Sequence, residues 1–259
     1  MNRIILSSLI FGVVFSIFMG CSYFTSPENA NTTQDTASEN QMANAGQTTK
    51  EGDDAETGKE SSVKASGVCA NDYYPVDSGL DQTYSINGSK PGTFIVDHKD
   101  VDSDSFKEIR SFSSGIVLTT NWTCTPEGLR NAEYQSSADL GGGQLKMETL
   151  SSSGVTIPKK WEAGKTYTAE YKIRATMMGR TFDGTATIDN KITSLEENIS
   201  VQGGDFVAAR VESTIKVNLN GVPGFSASTV NWFAPDVGLV KQEATSRYGK
   251  ENIEYTGEK

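Results

Sequence analysis

The longest regular pattern in the chain is an alternation of apolar and polar positions over residues 207–219. Its odd positions are apolar except for Ser213, and its even positions include Glu212 and Lys216. Because successive side chains of a β-strand point to opposite faces of a sheet, the pattern predicts a strand with one apolar and one charged face. Such a strand spans roughly 40 Å, and a sheet built from strands of this length must twist and coil.

Two shorter stretches repeat the alternation. Their apolar positions are Ile116, Leu118, Trp122 and Cys124 in the first, and Tyr167, Ala169, Tyr171 and Ile173 in the second. Turn sequences divide the remainder into about ten predicted strands. They include Asn87-Gly88, Pro126-Glu127-Gly128, Gly141-Gly142-Gly143, Asp183-Gly184, Gly203-Gly204 and Asn220-Gly221. Only residues 194–198 suggest a short helical turn.

These patterns predict an all-β, mostly antiparallel fold for residues 68–259, as a single domain. A fold of alternating strands and helices would need helices between the strands, and the sequence offers none. We therefore expect one long curved sheet that forms either a barrel or a half-barrel.

The N-terminus has the layout of a secretory signal. Arg3 precedes an apolar run over residues 4–19, and Gly20 and Cys21 follow it. Residues 18–21, FMGC, resemble the lipobox of bacterial lipoproteins, which implies cleavage after residue 20 and acylation of Cys21, with palmitate among the acyl groups. The alternative is an uncleaved anchor, since the run approaches the roughly 20 apolar residues that span a bilayer.

Residues 21–67, which begin with the lipid-bearing Cys21, are predicted to form a disordered tether. After Tyr23 and Phe24 the segment is rich in Ser, Thr, Asn and Glu and almost free of apolar residues. Such a composition cannot bury enough surface to offset the entropy of ordering. The tether and its lipid would hold the domain on the outer side of a membrane, which is the outer membrane if the organism has two.

The cysteine count agrees with export. If Cys21 carries lipid, Cys69 and Cys124 remain as a pair in an oxidising compartment, and we predict a disulfide between them. Two free buried thiols are the alternative. A zinc site is not expected, because two cysteines and one histidine do not complete a zinc coordination shell.

Four motifs resemble signatures of bacterial envelope lipoproteins related to the TapB-like domain. They are YYP at residues 73–75, WEAGKTY at 161–167, VQGGDF at 201–206 and WFAPDVGLVK at 232–241. Two positions depart from the family pattern: Gln82 replaces a common Trp, and Gln202-Gly203 replaces a common Pro-Ala. The resemblance implies an all-β fold and an envelope location but no reaction, and the motif aromatics also suit a core.

A search for catalytic chemistry finds no constellation. His98 is the only histidine, and its acidic neighbours suggest an exposed loop. No nucleophile elbow accompanies it, and no spacing singles out a carboxylate pair. We therefore expect neither an enzyme nor a cofactor.

Asp100, Asp102 and Asp104 form the most site-like cluster, since alternate carboxylates in a loop can gather calcium. The cluster departs from the known calcium loop, because Ser105 replaces its essential glycine and Ser111 its final glutamate. The favoured interpretation is a solvated hairpin tip without a metal.

The net charge of −10 and pI of about 4.7 argue against nucleic acid as a partner. Two functional hypotheses remain. The first is a structural or interaction module that meets another envelope protein. The second is a carrier or sensor that encloses a hydrophobic or amphiphilic ligand in a half-barrel.

Overall fold

A computed structural model describes residues 63–88, 91–134, 145–177, 179–221, 223–246 and 249–258. The predicted signal peptide, Cys21, the tether up to residue 62 and the glycine run at 141–143 lie outside these residues. In the described ranges there is no helix long and apolar enough to cross a membrane.

Within the described residues, thirteen strands form one antiparallel sheet, which confirms the all-β prediction. They are β1 (Gln82–Asn87), β2 (Gly92–Lys99), β3 (Ser105–Phe112), β4 (Val117–Thr125), β5 (Gly128–Asn131), β6 (Leu145–Gly154), β7 (Ile157–Pro158), β8 (Thr166–Met177), β9 (Arg180–Val201), β10 (Gly204–Leu219), β11 (Phe225–Ala234), β12 (Gly238–Ser246) and β13 (Gly249–Glu258).

The sheet is curved and unclosed, so the half-barrel alternative is the correct one. Its strand order is β6-β8-β9-β10-β11-β12-β13-β1-β2-β3-β4-β5-β7. The two edge strands, β6 and β7, are consecutive in the chain and are joined by Val155 and Thr156. The Thr156 amide donates to the Leu129 carbonyl at 2.9 Å, and the Val155 amide donates to the Thr168 carbonyl at 2.9 Å. These two residues therefore hydrogen-bond to β5 near one edge of the sheet and to β8 near the other, although β6 and β7 do not pair with each other.

The long alternating stretch lies in β10, as predicted, but the set of residues that point inward changes near the N-terminal end of this strand. Val211, Ser213, Ile215 and Val217 are buried, whereas Val207 is 53% exposed. The ladder between β9 and β10 shifts register between Ala208 and Val211. Towards the hairpin turn, Ala208 is buried instead. The assignment of Val207 to the apolar face was therefore wrong, because a β-bulge changes which residues point inward.

Strand β9 has 22 residues and includes two segments that the sequence predicted as turns. Residues 194–198 belong to this strand and pair with β10, so the predicted helical turn is wrong. Asp183-Gly184 is not a turn either. A Cβ at Gly184 would lie 2.0 Å from the Asn218 carbonyl oxygen, so the glycine permits a close approach of β9 and β10.

The buried residues form three clusters along the concave face. The first core cluster includes Tyr134, Tyr171, Ile188, Ile215 and Phe225. The second core cluster includes Cys69, Val76, Phe106, Trp122, Val211 and Phe233. The third core cluster includes Tyr84, Phe94, Phe112, Trp232 and Tyr255. The second cluster contains residues from strands in both halves of the sheet, so the apolar contacts within it stabilise the curved shape.

Residues 63–78, which we call the N-terminal strap, pack into the second core cluster. A β-bridge pairs Lys64 with Asp77, and the Ala65 amide donates to the Val76 carbonyl at 2.8 Å. Ala65, Cys69 and Val76 are buried. The packed chain therefore includes residues 63–67, which the sequence analysis assigned to the tether.

Candidate functional site

A cluster of polar side chains lies where the strap meets β2 and β3. His98 of β2 is the cross-strand partner of Glu108 in β3. Arg110 follows Glu108 by two residues, so strand alternation places its side chain on the same face. The strap contributes Tyr74. These four residues form what we call the strap-binding cluster.

Glu108 is the centre of this cluster. Its side chain is only 1% exposed, and its carboxylate accepts hydrogen bonds from the Tyr74 hydroxyl and from Arg110 Nε, the latter at 2.6 Å. Burial opposes ionisation of this carboxyl, but the Arg110 guanidinium, helped by the hydrogen bond from the Tyr74 hydroxyl, holds its pKa below the usual value. Glu108 is therefore a buried anion that is stabilised by its partners.

His98 is 3% exposed, so the prediction of an exposed loop histidine was wrong. Its ring meets Phe106 edge-on at 5.4 Å and Tyr74 at 6.1 Å between centroids. It also hydrogen-bonds the Asp77 backbone, while Nε2 has no hydrogen-bond partner among the described residues. Burial lowers the pKa of this imidazole, against the pull of Glu108 and Asp97.

Covalent and polar contacts fix the part of the strap that precedes Tyr74. The predicted disulfide is present, with Cys69 and Cys124 joined at an S–S distance of 2.00 Å. Lys159 Nζ donates to the carbonyls of Gly67 and Ala70. Asn71 Nδ2 donates to the Pro158 carbonyl at 2.9 Å. The strap is thus bound to β4, to β7 and to Lys159, which follows β7.

Three of the four motifs that suggested a family, YYP, WEAGKTY and WFAPDVGLVK, meet around the strap. Tyr73 stacks on Trp161 with ring centroids 4.4 Å apart, and Trp161 in turn contacts Phe233. The Asp236 amide of the WFAPDVGLVK turn donates to the Asp72 carbonyl at 2.7 Å. These motif residues therefore have a packing role that links the strap to β11 and β12.

A second polar group crosses the concave face in a row over β9, β10, β11 and β12. We call its members, which are all less than 9% exposed, the polar row: Asn190, Ser213, Thr229, Asn231 and Gln242. Sequence reasoning missed it, because each residue looked like an isolated interruption in an apolar pattern. Only the register of four strands brings the five side chains together.

Hydrogen bonds connect the polar row from strand to strand. Ser213 Oγ donates to Asn190 Oδ1 at 2.7 Å, and Gln242 Nε2 donates to Asn231 Oδ1 at 2.5 Å. Asn231 Nδ2 also donates to Thr229 Oγ1 at 3.0 Å. Gln242 Oε1 is the exception, a buried acceptor that finds no hydrogen-bond partner in the described part of the chain.

Asp100, Asp102 and Asp104 lie in the turn between β2 and β3. Lys107 Nζ pairs with Asp100 at 2.6 Å, and the Asp102 amide donates to the Ser105 carbonyl at 2.9 Å. In the part of the chain that the structure describes, no three His, Cys, Asp or Glu residues are grouped to hold a metal ion.

The fold and its sites define a class: an antiparallel half-barrel whose concave face is packed by its own N-terminal segment. The DUF3108-like family model matches residues 136–253, which is less than half of the chain. The resemblance to the TapB-like domain therefore remains a prediction. No curated protein matches the chain significantly.

Two solved structures are similar. A candidate lipoprotein from Parabacteroides distasonis has a TM-score of 0.51 at 14% identity, covering 74% of this chain and 99% of its own. A candidate exported protein with a YmcC-like fold from Bacteroides fragilis has a TM-score of 0.46 at 13% identity, covering 73% of this chain and 100% of its own. At these identities the first likeness shows the fold alone.

Proposed function

We propose that the protein is a lipoprotein of the cell envelope, anchored by acylated Cys21 and facing outside the cytoplasm. The signal sequence over residues 1–20 and the lipobox resemblance support this, as does the TapB-like motif resemblance. The Parabacteroides distasonis protein that shares the fold is itself named as a candidate lipoprotein. Each acyl methylene that is buried in the membrane contributes roughly 0.8 kcal/mol to the binding free energy, so two or more acyl chains make a stable anchor.

The β domain acts as a non-catalytic structural or interaction module, displayed on its tether to meet another envelope protein. The observation that carries this proposal is the packing of the strap. Cys69 and Val76 are at most 2% exposed within the second core cluster, between strands of both halves of the sheet. The chain's own side chains thus take the place that a ligand would occupy in a half-barrel carrier. The domain needs no cofactor in this role.

Labelling with an alkyne analogue of palmitate tests the anchor. The full chain is expected to incorporate the label and to fractionate with membranes, whereas Cys21→Ser should lose the label. Cys69→Ser is the matched control, since it removes another cysteine and should keep the label. A wild-type chain that fractionates with membranes, carries no label and retains residues 1–20 would instead support the uncleaved anchor.

The polar row favours a second candidate, a carrier of an amphiphile. Polar groups within an otherwise apolar concave face are typical of sites that orient such ligands, and Gln242 Oε1 is an open acceptor there. Native mass spectrometry of the detergent-solubilised full chain separates the two functions. A mass without adduct, two hydrogens below the reduced value, supports the interaction module. A stoichiometric lipid-like adduct that Ile215→Ala weakens would support the carrier.

A further inference from the structure

His98 and Glu108 hold the strap from the same side. The Tyr74 hydroxyl donates to Glu108, and an imidazole N–H of His98 donates to the Asp77 backbone. Tyr74 also contacts Trp122 of β4, with ring centroids 5.3 Å apart. One cross-strand pair of β2 and β3 therefore contacts strap residues 74–77 through Tyr74 and Asp77, while Lys64 and Ala65 of the strap also pair with Asp77 and Val76.

The chain on either side of this point is fixed independently. The disulfide binds Cys69 to β4, and β1 begins at Gln82 with ladders to β2 and β13. Residues 70–81 consequently form a loop that is anchored at both ends. Opening this loop breaks the contacts of Asn71, Asp72 and Tyr73 described above, but it does not require the sheet to unfold, because the ends of the loop stay in place.

We propose that residues 70–81 form an acid-sensitive gate over the second core cluster, and that protonation of His98 opens it. In the closed state the His98 ring is buried against Phe106 and Tyr74, and its Nε2 atom has no partner. Protonation adds a second N–H donor at Nε2. A buried donor without an acceptor, on a charged ring, is a costly combination.

The surrounding charges set the direction of the effect. Glu108 in β3 and Asp97 in β2 favour the charged imidazole, whereas Arg110 in β3 and, above all, burial disfavour it. Burial prevails, so the closed state has a lower His98 pKa than an exposed histidine. The strap itself presents the neutral Tyr74 hydroxyl and the Asp77 backbone to the cluster. Opening therefore takes up a proton.

The pH window follows from this sign. An exposed histidine titrates near pH 6.5, so the gate is most stable above that value. Between that pH and the lower pKa of the closed state, the opening constant rises by up to ~10-fold per pH unit. Opening would uncover aromatic residues of the second core cluster, Phe106 and Trp122, only in mild acid.

Hydrogen–deuterium exchange on the full chain in detergent tests the gate. After correction for intrinsic rates, exchange over residues 70–81 should be about tenfold faster at pH 5.5 than at pH 7.5. Exchange in β9 and β10 should not change. His98 is the only histidine in the sequence, so its ring proton resonance can be titrated without ambiguity. The midpoint of gate opening should follow this titration.

Two variants sharpen the test. His98→Asn keeps an N–H donor near the Asp77 backbone but cannot titrate in this range, so its gate exchange should not depend on pH. Asp189→Asn changes a charge on the exposed face and should behave as wild type. Wild-type pH dependence in His98→Asn would overturn the proposal, as would simultaneous acceleration of gate and sheet. If His98→Asn does not fold, a wild-type His98 pKa at or above 6.5 overturns it.

Discussion

Tyr74 and Glu108, 34 residues apart in the chain, are joined by a hydrogen bond that connects the N-terminal strap to β3. The carboxylate is buried and the hydroxyl is its contact with the strap. A buried carboxylate without partners would neutralise rather than stay charged. The strap thus helps to keep an anion inside the sheet, and each depends on the other.

This dependence predicts a large coupling between the two residues. Tyr74→Phe should reduce the free energy of unfolding by about 2 kcal/mol, since it removes a hydrogen bond to a charged group. Glu108→Gln should cost more, about 3 kcal/mol, because Arg110 loses its buried partner. The double variant should cost less than the sum in urea unfolding. Lys216→Gln, on the exposed surface, should stay within about 0.5 kcal/mol of wild type, and additive effects at Tyr74 and Glu108 would contradict the coupling.

The disulfide predicts a stability loss on reduction or replacement. It joins residues 55 positions apart, and closing a loop of that length is worth about 4 kcal/mol in the chain-entropy model. The variant with both Cys69→Ser and Cys124→Ser should therefore lose about this amount in denaturant unfolding. The wild type in a strong thiol reductant should approach the same value. Equal stability of oxidised and reduced protein would refute the prediction.

The polar row predicts non-additive substitutions. Asn231→Leu should cost about 3 kcal/mol, because Gln242 and Thr229 lose their buried hydrogen-bond partner. Adding Gln242→Leu to this variant should restore part of the loss, since both partners then become apolar. Thermal unfolding of the two single variants and the double variant measures the effect. A double variant less stable than the sum of its parts would show that the row acts in another way.

The raised pKa of Glu251 predicts that the free energy of unfolding decreases when the pH rises above the usual titration range of a glutamate. Burial raises the pKa of this carboxyl to about 7. The folded state therefore binds the proton more tightly than the unfolded state, and stability falls as the pH rises from about 4.5 to 7. Glu251→Gln should raise the unfolding temperature at pH 7.5 and leave it nearly unchanged at pH 4. Glu196→Gln, at an exposed position, is the control.

Much of the fold could be predicted because its signal is local. Alternation over residues 207–219 and around Trp122 identified strands from neighbouring residues alone, and the even number of remaining cysteines identified Cys69 and Cys124 as a pair. The bulge at Ala208 could not be found in this way. It arises from pairing with β9, which the sequence of β10 does not contain.

The strap-binding cluster was not predicted, although the alternation of buried positions in β2 and β3 could have indicated it. In β2, Phe94, Val96 and His98 alternate with more exposed residues and point inward. The charged neighbours of His98 nevertheless suggested a loop. Its cross-strand partner Glu108 follows the buried Phe106 in the same way. Titratable residues were assumed to lie outside, and the buried pair of His98 and Glu108 was therefore missed. The polar row had no such signal, because its members meet only through tertiary register.

The position of β13 has a consequence for how the molecule assembles. It follows all other described strands in the chain, yet it lies between β12 and β1 in the middle of the sheet. As the chain emerges with its N-terminus first, the strands from β1 to β5 and those from β8 to β12 can pair only within their own groups. Strand β13, which follows them, then joins the two groups as a central seam. Removing it would divide the sheet in two, whereas the loss of an edge strand would merely narrow it.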